Sequence, residues 1–130
     1  LLVRIRQSDT VYVAAMNGAA AGGGLGLALA ADYRIAIPQT KIAAAFFSLG
    51  LSPDGGTTWL LPRLVGLQRA KKFFFNNETC SGEEALKLGV IDEITELDDL
   101  ILRSLKVAIS WGKWAKSTRA GTKQLLDSQK

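Results

Sequence analysis

The sequence predicts an α/β domain with parallel strand pairing and a helical C-terminal half. Three observations carry that prediction. Short apolar runs closed by turn signals alternate with helical segments, the order that gives parallel sheets. Strands are few, and the second half of the chain is dominated by helix-forming patterns. At 130 residues, 48% hydrophobic and 22% charged, the chain has the balance of a globular domain with its own core.

Taken in order, residues 10–16 (TVYVAAM) form an apolar run between Ser8-Asp9 and Asn17-Gly18, which predicts a buried strand. Residues 23–31 are rich in Leu and Ala without Pro or β-branched side chains, a sound helix. RIAI, residues 34–37, is a second strand stopped by Pro38, and residues 41–45 suggest a third. In LGLSPDGGTTWLLPRLVG, residues 49–66, Pro and Gly mark turns before a short helix over 57–61. A helical pattern covers 68–75. Ser81 with Glu84 three residues on is a capping box opening a helix to Leu88 that ends at Gly89. Residues 90–94 read as a strand. From Asp98 the pattern is amphipathic, with apolar Leu100, Ile101, Leu105, Ala108 and Ile109, and a last helix follows from about residue 113. Residues 1–95 are thus expected to form the core and 96–130 a helical region.

Composition excludes several functions. The net charge is +4, but the cations are dispersed, the nearest cluster being Arg63, Arg69, Lys71 and Lys72. Nucleic acid is therefore not an expected partner, and a phosphorylated small molecule suits the charge at least as well. With no histidine, this chain holds neither a Ser/His/Asp or Cys/His triad nor a His-based metal site. Cys80, the single cysteine, forms no internal disulfide, and a cytoplasmic setting is expected. No apolar run reaches the roughly 18 residues of a membrane span, and residues 1–7 lack the features of a signal peptide.

AAAGGGLGLALAAD, residues 19–32, places three glycines at the mouth of a helix. A P-loop needs Lys-Ser/Thr after its glycines, and G-x-G-x-x-G fits in no register, so neither nucleotide motif is present. What remains is a strand, a glycine turn and a helix whose first N–H groups carry the positive end of the dipole. Such a terminus holds an anion or a developing oxyanion, and Gly22 and Gly23 admit a carbonyl to the backbone. Close packing of strand on helix would call for the same glycines.

Three segments in order, VAAMNGAAAGGGLGLALAADYRIA, then LGLSPDGGTTWLLPRLVG, then CSGEEALKLGVIDEI, resemble the enoyl-CoA hydratase/isomerase (crotonase) family over roughly residues 10–126. The resemblance implies a ClpP/crotonase spiral of ββα units and helical C-terminal elements supporting a homo-oligomer, a trimer or hexamer. It implies an acyl-CoA substrate in fatty acid metabolism and no cofactor beyond the coenzyme A of the thioester. It also implies an oxyanion hole of two backbone N–H groups, one of them Gly23. In the family the second donor and much of the CoA pocket come from a segment well upstream of Thr10. The chain is accordingly expected to be an incomplete version of the unit, without that part and the extreme C-terminus, and of weak turnover alone.

The positions matching the two glutamates of the family's hydratases hold Gly26 and Phe46, neither of which moves a proton. Asp54, in Ser-Pro-Asp-Gly-Gly, resembles the aspartate that serves as base or nucleophile in dienoyl-CoA isomerases and related members. One carboxylate suffices to shuttle a proton between carbons once the enolate oxygen is held. The expected activity is therefore enoyl-CoA isomerisation with catalytic Asp54 and Gly23, and a substrate site formed by Gly22, Phe46 and Leu51. A non-catalytic acyl-CoA-binding or oligomeric subunit is the alternative, and hydration, a lyase reaction, stands third. Read alone, Asp54 also fits a turn or an N-cap, and Phe46 a core residue. Glu83, Glu84, Asp92, Glu93, Glu96, Asp98 and Asp99 read as a solvated face, Cys80 as structural, and Arg69, Lys71 and Lys72 as surface cations within reach of CoA phosphates.

Overall fold

The computed structural model describes residues 1–46 and 56–129. After a first short helix, α1 (Leu2–Gln7), two strand–strand–helix units follow one another. The first is β1 (Val13–Met16), β2 (Ala20–Ala21) and α2 (Gly23–Ala30). The second is β3 (Tyr33–Ala36), β4 (Lys41–Ala43) and α3 (Thr57–Val65). Then come α4 (Leu67–Phe75), β5 (Thr79–Ser81), α5 (Gly82–Leu88), β6 (Glu93–Ile94), a 3₁₀ turn at Leu97–Asp99, α6 (Leu100–Gly112) and α7 (Lys116–Asp127).

The leading strands of the two units share one sheet and the second strands another. β1 and β3 pair in parallel from Val13 opposite Tyr33 to Met16 opposite Ala36, with β6 parallel on the far edge of β3. β2 runs parallel to β4, and β5 completes the second sheet antiparallel to β4, with Ile42 opposite Cys80. The period-two alternation of a strand sends neighbouring side chains to opposite faces. Ala14, Met16 and Ala36 face the main core with Leu25 and Leu29 of α2, Leu61 of α3 and Phe73 of α4. Val13, Ala15, Tyr33 and Ile35 face α6, where Leu100 and Val107 close a second cluster. Arg34, on the face toward α2, is only 5% exposed.

Several expectations needed correction. β1 starts at Val13 because Tyr12 is engaged by Asp32. Its N–H donates to Asp32 Oδ2 at 2.9 Å, and its carbonyl accepts the Asp32 N–H at 2.8 Å. Val90 and Ile91 are buried, yet they stand outside a ladder because both N–H groups close α5 on the Ala85 carbonyl. α3 extends beyond 61 to Val65. In α6 the inward face is Leu100, Ser104 and Val107, and Ile101, Leu105 and Ile109 point to solvent at 64%, 54% and 71% exposure. The buried Ser104 hydroxyl is satisfied by donating to the Leu100 carbonyl at 2.8 Å. α7 has no buried residue, and polar contacts hold it on α1. Arg6 Nε donates to Asp127 at 2.7 Å, and Lys123 Nζ donates to the Ile5 and Thr10 carbonyls and to Asp32.

Candidate functional site

The glycine turn leads β2 straight into α2. Gly22 sits at φ 55° and ψ −126°, a region closed to residues with a Cβ, and its carbonyl accepts the Gly26 N–H at 3.2 Å. That bond fixes the first turn of α2 and leaves the N–H groups of Gly23, Gly24 and Leu25 ahead of it. No acceptor among the described residues takes any of the three. Gly23 and Gly24 are exposed, and a Cβ built on Gly22, Gly23 or Gly24 meets no described atom within 4 Å. Among the described residues nothing crowds the Cβ side of these glycines at the positive end of the helix, an arrangement suited to a carbonyl oxygen gaining negative charge. A groove of about 460 Å³ runs nearby along β1 and the outer face of α2. Among the described residues its lining contains no carboxylate, amine or thiol, and Gly23 is not part of it.

α2 is a poor helix on local terms. Gly23, Gly24 and Gly26 each cost about 0.8–1.0 kcal/mol relative to alanine. Its N-cap makes no side-chain hydrogen bond, its first turn carries no acid and its last turn no base. Its stability comes from burial of Leu25 and Leu29, each worth about 1.5–3 kcal/mol, and from Arg34 on β3. Arg34 Nη1 donates to the carbonyls of Ala31 (2.7 Å), Leu29 (3.1 Å) and Ala28 (3.3 Å), and Nε donates to the Val90 carbonyl (2.7 Å). A cation on the last carbonyls of a helix contributes up to about 2 kcal/mol in a partly buried setting. Burial lowers the Arg34 pKa below the usual guanidinium value, and Asp92, 3.7 Å from Nη2, pulls it the other way. The sequence reading gave Arg34 no role. The signal for it is one charge in an otherwise apolar strand directly after a helix end.

Of the other predicted site residues, Phe46 is packed into the main core at 5% exposure. Leu51 and Asp54 lie outside the described residues. The cation group does not converge. Arg63 lies over the Trp59 ring, its guanidinium carbon 3.4 Å from the centroid, and donates to the Trp59 carbonyl. Arg69 forms a bidentate pair with Glu78, which holds the Glu78 carboxyl below the usual carboxylate range. Lys71 and Lys72 are exposed on α4. Asp92 is exposed as expected, though engaged by Arg34, while Glu93 is only half-exposed. Asp92 accepts the Arg34 N–H at 2.9 Å, and Glu93 takes both the Arg103 guanidinium and the Tyr33 hydroxyl. The Arg103 contact lowers the Glu93 pKa. Cys80 is buried, which pushes its thiol pKa up, away from a nucleophile's range. Among the described residues no three His, Cys, Asp or Glu side chains gather as metal ligands, and no helix is long and apolar enough to cross a membrane.

Comparison with known proteins places this geometry. A family model described as "Enoyl-CoA hydratase/isomerase" matches residues 1–130. The peroxisomal fatty acid beta-oxidation multifunctional protein of Arabidopsis thaliana is 39% identical over 124 residues, covering 95% of this chain and 16% of that protein. Among solved structures, the enoyl-CoA hydratase of Bacillus halodurans superposes with a TM-score of 0.85 at 34% identity, over 98% of this chain and 51% of the other. A Thermobifida fusca structure in complex with CoA gives a TM-score of 0.90 at 29% identity, over 96% of this chain and 49% of the other. The fold is thus crotonase-like, and the chain spans about half the length of the solved relatives it matches.

Proposed function

From a chain that belongs to the enoyl-CoA hydratase/isomerase family, we propose an enzyme that shifts the double bond of an enoyl-CoA thioester. In this reading the Gly23 N–H, with a second donor, holds the thioester oxygen while the α-proton leaves and an enolate forms. Asp54 takes that proton and returns it to the γ-carbon, so the double bond moves with no net change in protons. The observation that carries the reading is the start of α2, where the N–H groups of Gly23, Gly24 and Leu25 have no acceptor among the described residues and no described atom lies within 4 Å of a Cβ built on Gly23 or Gly24. A relative solved with CoA supports the substrate class. Gly26 and Phe46, standing where the hydratases' glutamates fall, favour isomerisation.

The test is Asp54→Asn in the full-length protein. Loss of a general base is worth typically 10²–10⁴-fold, so turnover of a 3-enoyl-CoA falls by that factor while thioester binding persists. Unchanged turnover removes Asp54 from the mechanism. Hydration is a second reading, favoured by the likeness to the enoyl-CoA hydratase of Bacillus halodurans. Water addition to a 2-enoyl-CoA that is insensitive to Asp54→Asn would establish it over isomerisation. Thioester binding without either reaction would make the protein a binding subunit. The exposed Ile101, Leu105 and Ile109 of α6 support a homo-oligomer built through residues 96–130. The single buried Cys80 fits a cytoplasmic setting.

A further inference from the structure

We propose that Arg34 is the positioning residue for the Gly23 amide, fastening the rear of α2 so that the N–H groups at its front keep one aim. The proposal rests on the thioester reading above. An oxyanion donor works only if it is already oriented when charge develops, so its helix must not rock or fray. α2 is eight residues long with three glycines in its opening turns and no side-chain cap at its front, a helix that would fray in isolation. A capping side chain at its front would occupy the very amides the substrate needs. The restraint therefore has to come from behind.

Arg34 supplies it. Its guanidinium is bonded to the carbonyls of Ala28, Leu29 and Ala31 and, on the other side, to the Val90 carbonyl beyond α5. Its own backbone is locked between β1 and the Asp92 carboxylate. One planar fork thus joins the end of α2 to the sheet and to the 90–92 turn. Lysine offers a single ammonium and cannot reproduce that fork.

The experiment uses full-length protein labelled with ¹⁵N-glycine, wild type and Arg34→Lys, with an osmolyte present so that the variant stays folded. Amide exchange is read at Gly26, bonded to the Gly22 carbonyl, against Gly89, bonded to the Leu86 carbonyl at the end of α5. Losing charge-assisted bonds accelerates Gly26 exchange about tenfold or more and leaves Gly89 within about twofold. In parallel, the carbonyl stretch of a bound ¹³C-labelled enoyl-CoA, lowered in wild type by polarisation, moves back toward its free value in the variant. kcat falls at least about tenfold with KM little changed, the pattern of an interaction made in the transition state. A second variant, Arg34→Gln, gives the same ordering with larger effects. Equal acceleration at Gly26 and Gly89, or a wild-type carbonyl shift retained in Arg34→Lys, overturns the positioning role and leaves the thioester reading standing. Absence of any carbonyl shift in wild type overturns the thioester reading, and the proposal with it.

Discussion

Alanine at two adjacent glycines is expected to act with opposite signs. Gly23 is the first residue of α2, its φ lies outside the left-handed region, and a methyl there meets no described atom within 4 Å. Gly→Ala at such a position stabilises by about 0.4–1 kcal/mol, mainly by restricting the unfolded chain. For a chain of this size that raises Tm by roughly 2–5 °C. Gly22 is equally uncrowded, so space does not decide the outcome there. Its φ of 55° with ψ of −126° does, at about 1–3 kcal/mol for a residue carrying a Cβ, a fall of roughly 4–12 °C. The assay is thermal unfolding by far-UV circular dichroism on both variants, followed by turnover and thioester binding. On the proposed thioester reading the Gly23 methyl stands where a carbonyl would approach, so Gly23→Ala should gain stability and lose about 10²–10³ in kcat, the worth of one oxyanion donor. A Gly23→Ala protein that is both more stable and fully active would refute the assignment of that amide. A Gly22→Ala protein as stable as wild type would refute the claim that the turn depends on a glycine-only backbone.

Two further expectations concern the periphery. Glu78 is held below its unfolded pKa of about 4.3 by Arg69, so its stabilising effect is complete above that value and is lost as pH falls through the folded value. Glu78→Gln should therefore lower the urea midpoint at pH 7 by a gap that narrows as pH is taken progressively below about 4, and a gap that stays constant with falling pH would contradict the pairing. Leu105→Glu, at a position 54% exposed, should change unfolding stability by no more than about 0.5 kcal/mol and reduce the mass measured by sedimentation. A wild-type protein that sediments as a monomer would count against the oligomer.

The elements legible in the sequence are those whose boundaries are written locally. Pro38 and the glycines of residues 22–24 punctuate β3 and α2, and the Ser81–Glu84 capping box forms as read, with the Glu84 N–H donating to Ser81 Oγ and the Ser81 N–H to the Glu84 carboxylate, both at 3.1 Å. What escaped depends on distant partners. α1 is six residues held by Arg6 on Asp127, 121 positions away, and no helix-length periodicity announces it. β2 and β5 are two and three residues long and exist as strands because β4 runs between them. The inward face of α6 was misjudged because its pattern offers more apolar residues than one face can bury. The sheet chose Leu100 and Val107, with a self-satisfied serine between them.

The same division between local and distant information runs through the site. An oxyanion donor made of backbone is visible in sequence only as the absence of side chains, and residues 22–24 say that much. Absence, however, does not hold a helix together. On the proposed reading, each glycine that clears room for a substrate carbonyl also removes helix propensity, and each potential cap at the front would occupy the amides that reading needs. A helix under those constraints must be stabilised by groups that never touch its front, buried Leu25 and Leu29 along its side and a guanidinium at its back. The arginine has to come from another element, because a side chain on α2 itself cannot bind the last carbonyls of α2 and the Val90 carbonyl together without leaving the core. β3 follows α2 directly in the chain, and position 34 alternates onto the face whose neighbours Ala14 and Ala36 pack in the main core. The glycines and the buried arginine are two parts of one requirement, and only the first part is written where the chemistry is.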